Sequence, residues 1–175
     1  MEASRTAAAR VSGALRAAGP LTLAVTALGV LGSLMILATE FTTIFSVDVL
    51  TSGTCEEIAD PAARDACQTS GFEQHGGAFI LLGLVGLLMA VGAGRGASKP
   101  AATALAAIGA VVLAFSLARD LPKSNDTGLV GIQYEEAKAA PRGGLYLEIG
   151  GGILCIVAGT LRLVARGEPE PAAES

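Results

Sequence analysis

The sequence has no tryptophan, one histidine, three cysteines and only 16% charged residues among its 175 positions. A lone histidine excludes zinc sites built from paired histidines, such as HExxH. The cysteines include no CxxC pair, which is the usual reactive arrangement of thiol oxidoreductases. Phosphate-binding loops and nucleophile elbows are absent as well. The sequence therefore predicts a protein that is not an enzyme, with no cofactor and no metal site.

Hydrophobic residues, in contrast, are plentiful. They make up 51% of the chain and give it a mean hydropathy of +0.57, which departs from the balance of a soluble domain. Four stretches contain almost no charged residue and approach the roughly 20 residues with which a helix crosses a bilayer. A membrane β-barrel would require alternating strands, and these stretches do not alternate. The stretches are residues 17–39, 76–94, 100–118 and 143–161, the last interrupted by Glu148.

The predicted fold is an all-α membrane protein, a four-transmembrane-helix bundle with a disulfide-bearing first outer loop. Its first apolar stretch is interpreted as a spanning helix, because it is longer than the h-region of a signal peptide. The predicted segments are a cytoplasmic N-terminal segment 1–18, a membrane domain 19–166 with helices at about 19–42, 76–95, 100–119 and 143–164, outer loops 43–75 and 120–142, and a disordered cytoplasmic tail 167–175.

Lysine and arginine near the helix ends indicate the orientation, because cationic flanks are retained on the cytoplasmic side. With four spans, both termini share one side, together with the short link between the second and third helices. We expect a multi-pass protein of the cell membrane with cytoplasmic termini. The net charge of −4 and the lack of a basic patch argue against a nucleic-acid partner. The cationic residues on the inner side are Arg5, Arg10, Arg16, Arg95, Lys99, Arg162 and Arg166.

The stretch TCEEIADPAARDACQ places Cys55 and Cys67 in the first outer loop, where oxidising conditions let a disulfide persist. A continuous helix would separate them by about 18 Å, so the chain must turn between them. Asp60 and Pro61 supply that turn, as N-cap and first residue of a new helix. We expect a Cys55–Cys67 disulfide. Zinc binding with His75 is the alternative, but no fourth ligand stands at a diagnostic spacing.

Small residues recur at four-residue spacing within the apolar stretches. Such rows let helix backbones approach closely, which matters in lipid because apolar side chains gain little by leaving lipid for one another. We therefore expect a tight bundle without a wide aqueous pore, in which Cys155 is a small packing residue. The residues expected at helix contacts are Gly86, Ala90, Gly94, Ala106, Ala110, Ala114, Gly151 and Gly159.

Two acidic residues interrupt the apolar pattern, Glu40 near the end of the first helix and Glu148 near the start of the last. The topology places both near the outer interface. Intramembrane carboxylates are costly and commonly paired or functional. Arg119 and Arg142 flank the same level, so an ion pair at the bundle end is one interpretation, and a proton or cation site is the other.

The order of helix, cysteine-bearing outer loop, helix, very short inner link, helix, smaller outer loop and helix resembles the claudin-type tetraspan plan over about residues 21–164. It is also similar to uncharacterised small four-helix membrane proteins of bacteria, whose last helix opens with a glycine-rich segment like PRGGLYLEIGGG. The resemblance implies a tetraspan fold, and Cys55 and Cys67 match its paired outer cysteines. The tryptophan-bearing signature of the claudin loop is missing, so a paracellular barrier function is not implied.

These features favour a non-catalytic structural or interaction protein whose outer loops face a partner. That partner would be another membrane protein or a second copy of the chain. Two alternatives stay open. One is a small transporter or ion-conducting oligomer that uses Glu40 and Glu148, and the other is a membrane thiol-disulfide oxidoreductase.

Overall fold

The structure is a computed structural model that describes residues 19–49, 55, 58–94, 98–134 and 136–165. It is mostly helical, at 74%. The predicted N-terminal segment 1–18 and tail 167–175 lie outside the described residues. In chain order the helices are α1 (Pro20–Thr39), α2 (Pro61–Asp65), α3 (Gly71–His75), α4 (Ala78–Gly94), α5 (Lys99–Phe115), α6 (Leu121–Lys123), α7 (Gly128–Gln133) and α8 (Gly143–Val164), with a π-helical turn at Ser116–Asp120 between α5 and α6.

Within the described part of the chain, three helical segments are long and apolar enough to cross a membrane. They are α1, with a mean hydropathy of 2.2, the segment Lys99–Ile132 that begins with α5, also at 2.2, and α8 at 1.7. Helix α4 is apolar throughout but has 17 residues. By length and composition, these segments indicate a membrane protein.

The four long helices pack against one another. Helix α8 lies against both α1 and α5, while α4 packs chiefly on α1 and less extensively on α5. Glycines allow the closest approaches, since a Cβ on Gly109 would lie 2.5 Å from the carbonyl oxygen of Gly152. These crossings satisfy the expectation of tight packing. The buried core between the helices contains Ile36, Phe79, Ala90, Leu105, Ile108, Val112, Cys155 and Ala158.

The predicted row of alanines on α5 does not lie on the helix face that packs against the neighbouring helices. Ala110 and Ala114 are exposed on the outside of the chain and Ala106 is half-buried, whereas Leu105 and Gly109 are buried. The reason is geometric. An α-helix has 3.6 residues per turn, so a row at four-residue spacing rotates by roughly 40° at each step and leaves the contact after a few residues.

The two segments predicted as outer loops contain strands that the all-α prediction did not include. The strands are β1 (Thr43–Asp48), β2 (Gln68–Ser70) and β3 (Lys138–Pro141), and they form one sheet in the order β2-β1-β3. Both pairings are antiparallel, with Ser46 opposite Gln68 on one side and opposite Ala140 on the other. Because β2 belongs to the first of these predicted loops and β3 to the second, β1 joins the two loops.

The three strands, α2 and α7 together form a folded unit at one end of the long helices, which we call the cap. Its core is apolar and includes the disulfide that the sequence predicted. Cys55 and Cys67 are bonded, with their Cα atoms 5.7 Å apart. The predicted turn is also present, since the Asp60 side chain accepts a hydrogen bond from the Ala62 N–H at the start of α2. The buried residues of the cap core are Val47, Val49, Ile58, Ala63, Cys67 and Val130.

Candidate functional site

Four ionisable side chains gather at the end of the long helices that adjoins the cap. Glu40 follows the last residue of α1, His75 ends α3, Asp120 ends the π-helical turn, and Glu148 lies in the second turn of α8. Glu40 is 1% exposed, and Asp120 and Glu148 are fully buried. Carboxylates this deeply buried are rare unless they are paired or coordinate a metal.

His75, Asp120 and Glu148 form the tightest part of this group, which we call the polar cluster. His75 Nε2 lies 3.2 Å from Asp120 Oδ2 and 3.8 Å from Glu148 Oε1. Each residue offers one ligand atom, and these atoms all lie within 4.8 Å of one another. The cluster therefore joins three segments that are distant in sequence.

Local structure explains how His75 reaches this position. Helix α3 begins with a capping box, in which the Ser70 hydroxyl accepts from the Glu73 N–H and the Glu73 carboxylate accepts from the Ser70 N–H. Gly71 has no side chain, so the helix can lie directly on the backbone of Thr39 at the end of α1. Gly76 then ends α3 in the left-handed conformation, at φ 62°.

Polar neighbours orient Asp120 and His75. The Gln74 side-chain amide donates to Asp120 Oδ1 at 2.5 Å, and the Lys123 ammonium donates to Gln74 Oε1 at 3.3 Å. The His75 ring stacks on Phe79, with centroids 4.0 Å apart and planes 17° from parallel. Asp120 Oδ2 is left facing His75, so the carboxylate is held in a defined orientation.

Glu40 has a separate partner. Its Oε1 accepts a hydrogen bond of 2.8 Å from the Phe79 N–H, in the first turn of α4. The first N–H groups of a helix have no intrahelical acceptor, so Glu40 caps α4 and its charge lies at the positive end of the helix dipole. Its other oxygen is buried without a hydrogen-bond partner among the described residues. Glu40 therefore borders the polar cluster and also links α1 to α4.

Glu148 is the least satisfied member of the group. Both carboxylate oxygens are buried, and neither accepts a hydrogen bond from any residue that the structure describes. The Asp120 carboxylate and the Ser116 hydroxyl are close enough to interact with it electrostatically. A buried carboxylate without donors carries a large desolvation cost, so its environment calls for a cation or a proton.

The arginines that the sequence suggested as partners lie elsewhere. Arg119 is exposed on the π-helical turn. Arg142 donates to the Ser46 hydroxyl and forms an ion pair with Asp48, both on β1. The ion pairs expected between these two arginines and Glu40 or Glu148 are therefore corrected for the described residues. Arg142 has an extended backbone that continues β3, and this directs its side chain along β1 instead of toward α8.

The remaining predicted positions are distributed over the helix contacts and the cap. Cys155 is buried and free, with its sulfur 3.8 Å from the Ser33 hydroxyl oxygen, so it packs between α8 and α1 as expected. The small residues that are buried as expected are Gly86, Ala90, Gly94, Gly151 and Gly159.

His75, Asp120 and Gln74 were not among the predicted site residues. The sequence indicates His75 as an alternative zinc ligand or as an interfacial residue at the start of the second helix, and Asp120 as the first residue of a predicted outer loop. One feature of the sequence could have indicated them. His75 and Asp120 stand at ends of predicted helices, at the same level as Glu40 and Glu148. Family models, curated proteins and solved structures were compared with the chain, and none matches it.

Proposed function

We propose that all four long helices cross the cell membrane, with both termini in the cytoplasm and the cap outside. Helices α4 and α5 support this topology because each has 17 residues and they pack against each other. At 1.5 Å per residue such a helix spans about 26 Å, close to the hydrocarbon thickness of about 30 Å. The Cys55–Cys67 disulfide supports the outward placement of the cap, since disulfides persist in oxidising compartments.

In this membrane the chain works as a non-catalytic interaction protein, with the cap as the surface that meets another membrane protein. One observation carries this role. Strand β1 is paired with a strand from each outer loop, so the loops form one ordered surface held on the helix ends. Helix α7 presents apolar side chains on that surface, with Leu129 50% and Ile132 81% exposed. Exposed apolar side chains of this kind are typical of contact surfaces.

Impermeant thiol labelling in intact cells tests the topology. The background is Cys155→Ala, and single cysteines replace Asp126 in the cap or Lys99 at the start of α5, both of which are exposed. We expect labelling at position 126 in intact cells and at position 99 only after the membrane is permeabilised. The reverse pattern would place the cap in the cytoplasm and contradict the proposal.

Site-specific photocrosslinking tests the interaction role. A crosslinking amino acid at Ile132 should give one discrete adduct in cells, and Leu129→Glu on the same helix should remove that adduct without changing the expression level. The control position is Leu88, which is 69% exposed on α4 and which the proposed topology places against lipid. An adduct equal at both positions, or none at Ile132, would argue against the cap as the partner surface.

The buried carboxylate of Glu148, which accepts no hydrogen bond from the described residues, favours a second candidate, a transporter or ion-conducting oligomer. Close backbone crossings such as Gly32 with Gly151 argue against it, because they leave little room between α1 and α8. Liposome flux separates the two functions. Proton or cation flux that Glu148→Gln abolishes would replace the interaction role by transport, and no flux above that of protein-free liposomes is expected.

A thiol-disulfide oxidoreductase is the least supported candidate. Cys55 and Cys67 are bonded within the cap, where Cys67 is buried at 1% exposure. Cys155 is buried between helices and contacts Ser33, so it does not serve as an accessible second thiol for exchange.

A further inference from the structure

We propose that the polar cluster is a binding site for one divalent transition-metal ion, held by His75 Nε2, Asp120 Oδ2 and one carboxylate oxygen of Glu148. This site is independent of the interaction role of the cap. It also differs from a transport pathway, because it needs only a route from the cap side.

The spacing of the ligand atoms fits a metal ion. Two ligand atoms bound at about 2.0–2.1 Å to a tetrahedral ion lie roughly 3.3 Å apart. His75 Nε2 lies 3.2 Å from Asp120 Oδ2 and 3.8 Å from Glu148 Oε1. Both separations from His75 are therefore close to what coordination requires, and the three ligand atoms all lie within 4.8 Å of one another, so small side-chain adjustments would complete the site.

An independent observation is the lack of hydrogen-bond partners for Glu148. Both of its oxygens are fully buried, and no described residue donates to either. A buried polar group without a partner points to an unseen ion or water, since buried carboxylates are normally satisfied. The oxygen that lies 3.8 Å from His75 Nε2 shares its surroundings with the other two ligand atoms.

A divalent ion satisfies the charge balance of the site. Asp120 and Glu148 contribute two negative charges, and a neutral His75 contributes none, so one divalent ion makes the three-residue site neutral. A proton on His75 alone would leave one negative charge, so neutrality without a metal would need a second proton, on Glu148. The bordering Glu40 carboxylate adds further negative potential, which a cation reduces. Neutrality matters here because two of the three ligands are fully buried.

The ligand types select the class of metal. One imidazole nitrogen and two carboxylate oxygens suit zinc, manganese, iron or cobalt, whereas magnesium and calcium prefer sites made of oxygen alone. No cysteine belongs to the cluster, so copper(I) is disfavoured. Three protein ligands leave at least one coordination position for water.

The surroundings supply orientation and access. Gln74 donates to Asp120 Oδ1, which leaves Oδ2 free for the metal. Metal-binding carboxylates are commonly oriented by such hydrogen bonds from neighbouring residues. Gln74 and Lys123 also line a cavity of about 330 Å³ between the cap and the helix ends. An ion entering this cavity from the cap side would reach Asp120 after displacement of the Gln74 side chain.

Zinc titration of the purified full-length chain tests the site. The protein carries no histidine tag, is treated with chelator, and is titrated with Zn²⁺ against a chromogenic competitor. We expect one tightly bound ion per chain. Glu148→Gln and Asp120→Asn should each weaken binding at least 100-fold, and Gln74→Ala should weaken it about 10-fold by loosening Asp120. The matched control is Asp65→Asn, an exposed carboxylate at the end of α2 that should bind zinc like the parent.

Thermal melting of the metal-free proteins distinguishes a loss of zinc binding from a loss of folding. Glu148→Gln removes a buried charge while preserving shape, so the metal-free variant should melt at or above the parent temperature. Added zinc should raise the melting temperature of the parent and of Asp65→Asn, but not of Glu148→Gln. X-ray absorption at the zinc edge should show nitrogen and oxygen neighbours including one imidazole, and no sulfur.

Several outcomes would overturn the site. The parent could bind no zinc at 100 µM, the parent and Glu148→Gln could bind zinc with equal affinity, or the absorption spectrum could show a sulfur ligand. Displacement of zinc by an equal concentration of magnesium would also contradict the assigned class of metal. None of these results affects the crosslinking test of the cap, so the two proposals fail separately.

Discussion

Gly32 on α1 and Gly151 on α8 face each other across the tightest crossing of these two helices. A Cβ on Gly32 would lie 2.8 Å from the Gly151 carbonyl oxygen, and a Cβ on Gly151 would lie 2.8 Å from the Gly32 carbonyl oxygen. The relationship is reciprocal, so neither residue can carry a side chain without moving the backbone of the other. Close contact of this kind is a principal source of helix association in lipid.

The first prediction compares two neighbouring glycines of α8. Gly151→Ala should destabilise the chain by about 1–3 kcal/mol, because its Cβ meets backbone that cannot yield. Gly150→Ala is the control, since its Cβ would meet only the flexible end of Met35. That variant should be neutral or stabilised by up to about 1 kcal/mol, as expected for alanine in a helix. Unfolding in detergent measures both, and equal stabilities would contradict the crossing.

The second prediction makes the same comparison on α5. Gly109→Leu should disrupt the contact with α8, because a Cβ there would lie 2.5 Å from the Gly152 carbonyl oxygen. Ala110→Leu is one residue along and exposed, so its stability should stay within about 0.5 kcal/mol of the parent. Unfolding of the purified monomer measures this difference.

Ala110→Leu also tests self-association. If the variant folds normally but loses a dimer seen for the parent in cross-linking, the exposed alanines of α5 form a contact between copies. If the variant loses stability as a monomer, Ala110 lies on the face of α5 that packs within the chain, which would contradict its exposed position.

The apolar helices were predictable because their signal is local. Each stretch of about 20 uncharged residues indicates a helix without reference to the rest of the chain. The disulfide was also predictable, since Cys55 and Cys67 share one loop with a turn at Asp60. In the structure the first long helix ends at Thr39, and the helix that begins at Lys99 is followed by a π-helical turn.

The cap sheet and the polar cluster depend on contacts between distant segments. Strand β3 has only four residues and pairs with β1 of the other loop, so its own sequence carries little β-signal. His75, Asp120 and Glu148 come from three segments, and no spacing along the chain links them. The partner of Arg142 could not be predicted from the sequence either, because strand β3, which precedes α8, directs its side chain along β1.

The third prediction measures what Arg142 contacts. A double-mutant cycle between Arg142→Ala and Asp48→Ala should give a coupling energy of about 0.2–1 kcal/mol, the range of exposed ion pairs, since both side chains are partly exposed. A cycle between Arg142→Ala and Glu148→Gln should give coupling near zero. Strong coupling in the second cycle would restore the ion pair that the sequence suggested.

The last prediction concerns the disulfide. The double variant Cys55→Ser with Cys67→Ser should lower the stability of the cap by about 2–4 kcal/mol, because the cross-link no longer restricts the unfolded loop. Helix α2 lies inside that loop, and its amide of Arg64 bonds to the Asp60 carbonyl at 2.9 Å. Hydrogen exchange should therefore become faster in α2, while the interior of α8 keeps its protection.

A thiol count sets the reference state for that experiment. Parent protein alkylated under denaturing, non-reducing conditions should carry one label, at Cys155, and three labels after reduction. Cys155→Ser serves as the control, since it leaves the cap disulfide in place and should not change exchange in α2. Equally faster exchange in α2 and α8 would show that the cap and the long helices unfold together. The cap would then not be an independently folded surface, as its proposed role requires.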